Sequence, residues 1–488
     1  MKMYYENERM NGNYTMVTDA YEYTMSNGYL QTGQENVEVV FDAFFRRVPN
    51  GGGYAIMAGI DQVIEFIKNL KYSEADLQYF RDSGYPENFV EYLKNFKFTG
   101  TIKAIPDGTP VFPNEPLITV KAPIMEAQLI ETALLAILNG AMSHATGARR
   151  IVEACPEGVS VMEFGARRAD GLNAAIDASI YGLMAGCAGT SNIKAAEMLG
   201  QKALGTMAHS WVEAFDTEYE AFLNFAKIYP DNCFLLVDTY NTLKSGIPNA
   251  IKVFEYMRNS GMSLDHIGIR IDSGDIAYLT KEARRMLDDA GFPEAKICIS
   301  NGLKAETIES LILQGAKFDL VGVGDNISKP EGNIGCVYKL VAVKNKDGKY
   351  VGKIKLSEDA IKIVNPGFKK IYRVYDKDTG YALADVMSEY NEELNENEMV
   401  IVSTTDYLKS KKISNYDIVE LQQVIFEDGN LVYDDPELSE KAAYCEQQMV
   451  TIYPEVKRTM NPHEYYVDGT EQFVEYKREL IKKARKGA

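Results

Sequence analysis

Between about Val159 and Leu340 the chain repeats one pattern. A short, continuous run of apolar and β-branched residues breaks at a polar or glycine-rich corner, and a helical spacing of apolar positions follows. VSVMEF runs into GARRADG and the alanine-rich AAIDASIYGLMAG. CFLLVDT leads into YNTLKSGIPNAIKVFEYMRNSG, HIGIRIDSGD into IAYLTKEARRMLDDAG, and KICISNG into LKAETIESLILQGA; FDLVGVGD closes the series. The polar ends Asp238, Asp272 and Asn301 fall 34 and then 29 residues apart, the size of one βα unit. Apolar runs without alternation predict strands buried on both faces, hence a parallel sheet, and serial units of this kind predict a barrel or a doubly wound sheet. In either, functional groups collect where the strands end.

The flanks follow other rules. Residues 1 to about 145 mix predicted strands (VEVVFDAFFRR, PLITVKAP) with predicted helices (GIDQVIEFIKNL, EAQLIETALLAILNGAMSHATGARR). After Lys344 come Gly/Asp/Lys turns, short strands (YVGKIKL, KKIYRVYD, EMVIVST) and a charged helical tail ending KRELIKKARKGA. No internal repeat or low-complexity linker separates them, so the flanks are expected to pack together against the central unit.

At 488 residues the chain exceeds one ordinary core, and 46% apolar composition fills two or three domains. The balance of 52 basic against 70 acidic side chains, a net of -18, argues against nucleic acid or an anionic membrane surface as partner. An anionic substrate must therefore be held by a local basic cluster. No stretch approaches the roughly 18 uninterrupted apolar residues of a membrane span, and the start MKMYYENERMNGNY lacks the apolar core of a signal peptide; the expected compartment is the cytoplasm. The six cysteines (Cys155, Cys187, Cys233, Cys298, Cys336 and Cys445) have no zinc-site spacing and are expected to be reduced and mostly buried.

DTYNTLKSG and RIDSGD each place a carboxylate where a strand gives way to a helix. Such an aspartate is either a plain N-cap or a ligand for ribose hydroxyls or a phosphate-borne metal. Two in successive units, with Arg270 just before Asp272, favour a site for a phosphorylated sugar. GVGDN, residues 322–326, is either a structural turn or a cradle in which glycine lets backbone amides approach a phosphate. GTMAHSW holds His209, one of four histidines, with Thr206 and Ser210 beside it and a short apolar segment before it. A neutral imidazole there can serve as nucleophile toward a phosphoryl group if a carboxylate orients its other nitrogen; it can also be merely structural. EFGARRADG sets Phe164 beside Arg167 and Arg168, suited to a flat anionic aromatic. The tyrosines of TDAYEY and the pair Arg46, Arg47 offer a second stacking face and more positive charge.

Taken together, TDAYEYTM, FFRRVPNGGGYAI, ETALLAILN, EFGARRADG, GCAGTSN, GTMAHSW, VDTYNT, RIDSGD, ISNGL, GVGDN, KIVNPGFKKIYR and VKRTMNPHEYYV resemble the nicotinate phosphoribosyltransferase family, in order from Tyr14 to about Val467. The resemblance implies an α/β fold: an irregular α/β barrel with a second, β-rich α+β domain formed by the N- and C-terminal regions. The domains would be an N-terminal α+β domain over 1–145, the barrel with the active site over 146–344, and a β-rich and helical region over 345–488 packing on the first. It implies a homodimer with shared sites and a reaction of nicotinate with phosphoribosyl pyrophosphate, coupled to ATP and assisted by Mg²⁺. By motif, Phe164 stacks one face of the pyridine and the partner subunit's Tyr21 the other. Arg270 and Thr206 engage nicotinate, with Arg167, Ser191 and Ser210 around it. Asp272 and Asn301 take the ribose hydroxyls, and Ser300, Gly302, Gly322, Gly324 and Asp325 complete the phosphoribosyl site. Arg46, Arg167 and Lys355 face phosphate or pyrophosphate. His209 accepts the ATP γ-phosphoryl, with Asp238 as its orienting partner or an aid to magnesium.

The nearest alternative is a nicotinamide phosphoribosyltransferase, whose match to AGTSN carries an Asp that reads the amide; this chain has Ser191. A quinolinate-specific enzyme is much shorter and lacks GTMAHSW. A third alternative, a catalytically inactive barrel acting as a small-molecule sensor, would have lost His209, Asp238 or Asp272.

Overall fold

The continuous apolar runs become a six-stranded, wholly parallel sheet in the computed structural model, which describes residues 13–356 and 363–486. Residues 1–12, on which the expectation about a signal peptide rests, lie outside the described residues, as do 357–362 and 487–488. The chain divides into two units: Ser143–Glu331, and Met1–Met142 with Gly332–Ala488.

In the first of these the strands are β1 (Ser160–Glu163), β2 (Gly189–Thr190), β3 (Cys233–Leu236), β4 (Ile267–Ile271), β5 (Lys296–Ile299) and β6 (Leu320–Val323). Leu235, Ile269, Ile271, Ile297, Ile299 and Val321 are fully buried, as coverage of both faces of a parallel sheet requires. The sheet order is β2-β1-β6-β5-β4-β3. It follows the chain around without reversal, β6 returning to pair with β1 so that Val321 lies beside Val161. A doubly wound sheet reverses at a switch point. No reversal occurs, so the doubly wound alternative is set aside and a curled α/β sheet stands. The sequence pattern missed β2, because two residues form no apolar run. The short apolar segment before His209 forms no strand over 201–208: KALGTMA is poor in β-branched residues, and Leu204 N donates to the edge, to Thr190 O at 2.8 Å.

The other unit is β-rich and woven from both flanks. Glu38–Phe44 lies between Val337–Lys344 and Ile118–Pro123, and Thr101–Ala104 between Ile118–Pro123 and Gln423–Glu427. A second six-stranded sheet is made wholly from the carboxyl-terminal flank. The KIVNPGFKKIYR segment supplies its internal ties. Lys369 pairs with Asp42 and is buried with it, and Asn365 accepts from Lys477 Nζ at 2.7 Å. Arg373, with no exposed surface, donates to both oxygens of Asp385 (2.8 and 2.6 Å) and to Pro110 O. Burial and the neighbouring Asp385 carboxylate push Glu115 well above the usual carboxylate range, so this cluster holds its charge chiefly as one ion pair.

One helical run, 124–154, is long and apolar enough by length and composition to cross a membrane, but 67% of its most apolar window is buried inside the protein, as in a core helix.

Breaking the interior pair tests its weight. Asp385→Ala leaves Arg373 charged and buried without its partner, which should destabilise by about 3–5 kcal/mol, read as a lower urea midpoint. An unchanged midpoint would show that Arg373 reaches water or another acceptor.

Candidate active site

The strand IGIRI carries one polar residue in an otherwise buried run, and that residue organises the strand ends. Arg270 donates from Nε to Ser300 Oγ at 2.9 Å, from Nη2 to Asp272 Oδ1 at 3.1 Å and from Nη1 to Thr206 Oγ1 at 3.4 Å. Ser300, at the end of β5, donates in turn to the same Asp272 oxygen. Three neighbours thus fix the plane of the guanidinium, whose centre lies 5.9 Å from the centroid of the Phe164 ring. Such a pair of flat groups, one cationic and one apolar, suits a flat anionic ligand.

Neither strand-end aspartate is a helix cap. Asn241 caps the turn Thr242–Gly246 and Asp275 caps the helix Ile276–Asp289, each three residues farther on. Asp238 Oδ2 instead accepts from the backbone amide of Asp272 at 3.0 Å and from Ser273 Oγ, locking two corners together. Its other oxygen, Oδ1, is buried and has no hydrogen-bond partner among the described residues, an acceptor that water, a ligand or an ion can complete. The imidazole of His209 opens a five-residue helix, His209–Glu213. Its Nδ1 lies 3.0 Å from Thr239 Oγ1, and its Nε2 faces Asp272 Oδ2 at 3.9 Å. The neighbour of Nδ1 is thus Thr239, while Asp238 turns its Oδ2 to Asp272 N and Ser273. The His209 side chain is 40% exposed.

Phe164 is held from behind, its N donating to Val323 O at 2.7 Å. A Cβ on Gly322 would lie 2.7 Å from the Phe164 ring, so this glycine makes room for the ring. Gly324 has no such constraint, its nearest neighbour being 3.5 Å from a built Cβ. Asp325 pairs with Arg168 at 3.3 Å, both exposed; such a pair is worth little. Arg167 and Ser210 are exposed. Asn301 and Gly302 follow Ser300 with φ of 91° and 61°, a sharp left-handed corner that Asn and Gly tolerate best. Ser191, half-buried, follows β2, its amide donating to Glu163 O at 3.0 Å.

Tyr21, Arg46 and Lys355 belong to the other unit. Tyr21 is 45% exposed on the helix Ala20–Gln31, and burial with Glu131 and Glu22 raises its phenol. Burial, together with Arg46 and Lys355, lowers Lys339. Arg46 and Lys355 therefore gather with Lys339, a residue that the sequence reading passed over because a lysine in a half-buried strand looks like an ordinary polar-face residue.

Among the described residues no group of three or more His, Cys, Asp or Glu side chains converges as a metal site would require. Asp238 and Asp272 instead fit a magnesium ion that keeps most of its ligands from phosphate and water, and the unpartnered Asp238 Oδ1 is the acceptor such an ion would complete.

Comparison with known proteins follows this geometry. Residues 16–139 match the nicotinate phosphoribosyltransferase (NAPRTase) N-terminal domain, 159–348 the nicotinate phosphoribosyltransferase (NAPRTase) family, and 368–477 the nicotinate phosphoribosyltransferase C-terminal domain. The chain is 40% identical to a nicotinate phosphoribosyltransferase of Bacillus subtilis (strain 168), over 93% of this chain and 92% of that protein. It is 32% identical to one of Caenorhabditis elegans, over 96% and 94%. The crystal structure of human nicotinic acid phosphoribosyltransferase superposes with a TM-score of 0.83 at 26% identity, over 95% of this chain and 99% of that one.

The packing of Phe164 over Gly322 is open to test. Gly322→Ala should cost about 1–3 kcal/mol by overpacking and displace the ring, while Gly205→Ala, which meets open space, should be nearly neutral. Equal thermal midpoints for the two variants would show that the ring has another place to go.

Proposed function

The chain belongs to the nicotinate phosphoribosyltransferase family, and on that premise we propose that it joins nicotinate to phosphoribosyl pyrophosphate, giving nicotinate mononucleotide and pyrophosphate for NAD synthesis. The observation that carries this reading is Arg270, held flat against Asp272 and Ser300 beside the Phe164 ring. Nicotinate has the matching shape: a π-face for Phe164 and a carboxylate for the guanidinium. In the reaction the pyridine nitrogen supplies the electron pair of the new bond to C1 of the ribose, and the bond from C1 to pyrophosphate breaks, its electrons leaving with the pyrophosphate oxygen. Positive charge builds on the sugar and negative charge on the leaving group.

Asp272, with Oδ1 occupied by Arg270 and Ser300, has Oδ2 left for a ribose hydroxyl, and Asn301 stands at the adjacent corner. Preorganised charge of this kind lowers the barrier without reorganisation during the step. Ser300, Gly302, Gly324 and Asp325 would line the phosphoribosyl phosphate; Gly322, needed by Phe164, would contribute only backbone. Asp238 and Asp272 would hold Mg²⁺ carried by the substrate phosphates, where it would neutralise the leaving pyrophosphate.

His209 is the residue for ATP coupling. Its Nε2 would form a bond to the γ-phosphorus as the bond to ADP breaks, and water would later cleave the phosphohistidine; Thr239 would hold the ring during both steps. Tighter substrate binding in the phosphorylated form and release after hydrolysis would make ATP use a population shift. We further read the curled sheet as an irregular barrel, and the enzyme as a homodimer in which the partner subunit's Tyr21 covers the pyridine and Arg46, Lys339 and Lys355 meet phosphates. Six unpaired cysteines, five of them buried, support a reducing compartment such as the cytoplasm.

Pyrophosphate release should be fastest with nicotinate, slower with nicotinamide and absent with quinolinate, and stimulated by ATP. Label from γ-labelled ATP should appear on the wild type and vanish in His209→Asn, which should keep slow ATP-independent synthesis; an acid-stable label would rule the phosphohistidine out. Arg270→Ala should lower kcat/KM for nicotinate by about thirty- to several-thousand-fold and change any nicotinamide use far less. Equal losses would place Arg270 on the shared phosphoribosyl half.

A further inference from the structure

Glu163, the last residue of β1, has no exposed surface, yet its carboxylate is held by three neutral donors. One oxygen accepts from the backbone amide of Gly165, and the other accepts from Ser179 Oγ at 2.9 Å and Thr190 Oγ1 at 2.6 Å. Burying a carboxylate on neutral donors is costly in stability. What it supplies is a rigid group that only accepts, on which donors from two directions converge.

One leads to Phe164 and the other to Ser191, the two residues that the proposed reading sets against the pyridine. On one side, Phe164 sits between two fixed backbone points, Gly165 N on Glu163 and its own N on Val323 O. On the other side, β2 pairs with β1 so that Thr190 lies beside Glu163. The Thr190 hydroxyl donates to Glu163 and accepts from Asn192 N at 3.0 Å, while Ser191 N donates to Glu163 O at 3.0 Å. Ser191 is thus clamped between two bonds that both lead back to one residue. Asn192 carries the anchoring onward, its Nδ2 donating to Ala175 O at 3.0 Å.

We propose that Glu163 and Thr190 are positioning residues for substrate choice: together they fix Ser191 opposite Phe164 and so set the preference for a pyridine carboxylate over the amide. This rests on the reading of the site as the nicotinate site. Thr190 touches no reacting atom in this account and acts through the backbone of Ser191.

The test uses the full-length enzyme and three variants. Thr190→Val removes both the donor to Glu163 and the acceptor for Asn192 N, Thr190→Ser keeps both, and Ser179→Ala removes a donor to the same Glu163 oxygen without altering Phe164 or Ser191. Thr190→Val should raise KM for nicotinate about tenfold and lower the ratio of kcat/KM for nicotinate over nicotinamide about tenfold, the scale of one hydrogen bond to a charged group. KM for phosphoribosyl pyrophosphate should stay within about twofold. Thr190→Ser should match the wild type, and Ser179→Ala should keep the ratio whatever its stability. If Thr190→Val folds poorly, Thr190→Ala serves, since it removes the same hydroxyl without adding bulk; the same fall in the ratio is expected. Equal rises in KM for both substrates, or a valine variant that keeps the ratio, would overturn the positioning role. A wild type with no preference for nicotinate would overturn the reading of the site itself.

Discussion

All six strands of the parallel sheet point the same way, and this single constraint gathers the chemistry. Residues that are tens of positions apart in the chain (Phe164, Asp238, Asp272 and Ser300) each follow a strand of the same sheet, so they arrive at one edge without any local signal bringing them together. Once there, they bind one another before they bind anything else: Arg270 to Ser300, Thr206 and Asp272, and Asp238 to the backbone of Asp272. The site is therefore charged but internally compensated. On the function proposed above, an incoming carboxylate would meet a guanidinium whose orientation is already settled, which would remove an ordering cost from binding.

Much of this was legible in the sequence because strand ends are. The runs VSVMEF, CFLLVDT, HIGIRID and KICISN announce both the strand and its polar terminus, and the observed strands end within two residues of Phe164, Asp238, Asp272 and Ser300. What the sequence could not supply is which neighbour a side chain turns to. Thr239, next to Asp238, takes the His209 ring, and Asp238 takes the amide of Asp272, a contact made 34 positions away. The caps at Asn241 and Asp275 look no different in sequence from the aspartates three residues before them. Gly322 resembles a phosphate-loop glycine, and its crowding against Phe164 is visible only when two strands lie side by side.

The two units use buried charge in different ways. In the β-rich unit, Arg373 with Asp385 and Lys369 with Asp42 are pairs of opposite sign shut away from solvent, whose removal as halves is far more damaging than their presence is helpful. Around the parallel sheet, Glu163 is buried on neutral donors and Asp238 Oδ1 on none. The first arrangement specifies which distant segments meet. The second ties strand ends together through acceptor oxygens with neutral donors.

The weave of the β-rich unit also sets an order of events at the ribosome. Lys344 pairs with Glu38 across 306 residues, and Lys441 meets Asp107 across 334. At about 5–20 residues per second, the strand Glu38–Phe44 waits roughly 15–60 seconds for its neighbour Val337–Lys344 to be made. The parallel sheet, whose strands all lie within 160–323, is complete in the nascent chain before that neighbour exists. Apolar residues such as Val39, Val40 and Phe41, fully or nearly buried in the finished protein, therefore have one neighbouring strand, Ile118–Pro123, early in synthesis, while the other edge of their own strand stays open until every strand of the parallel sheet has been made.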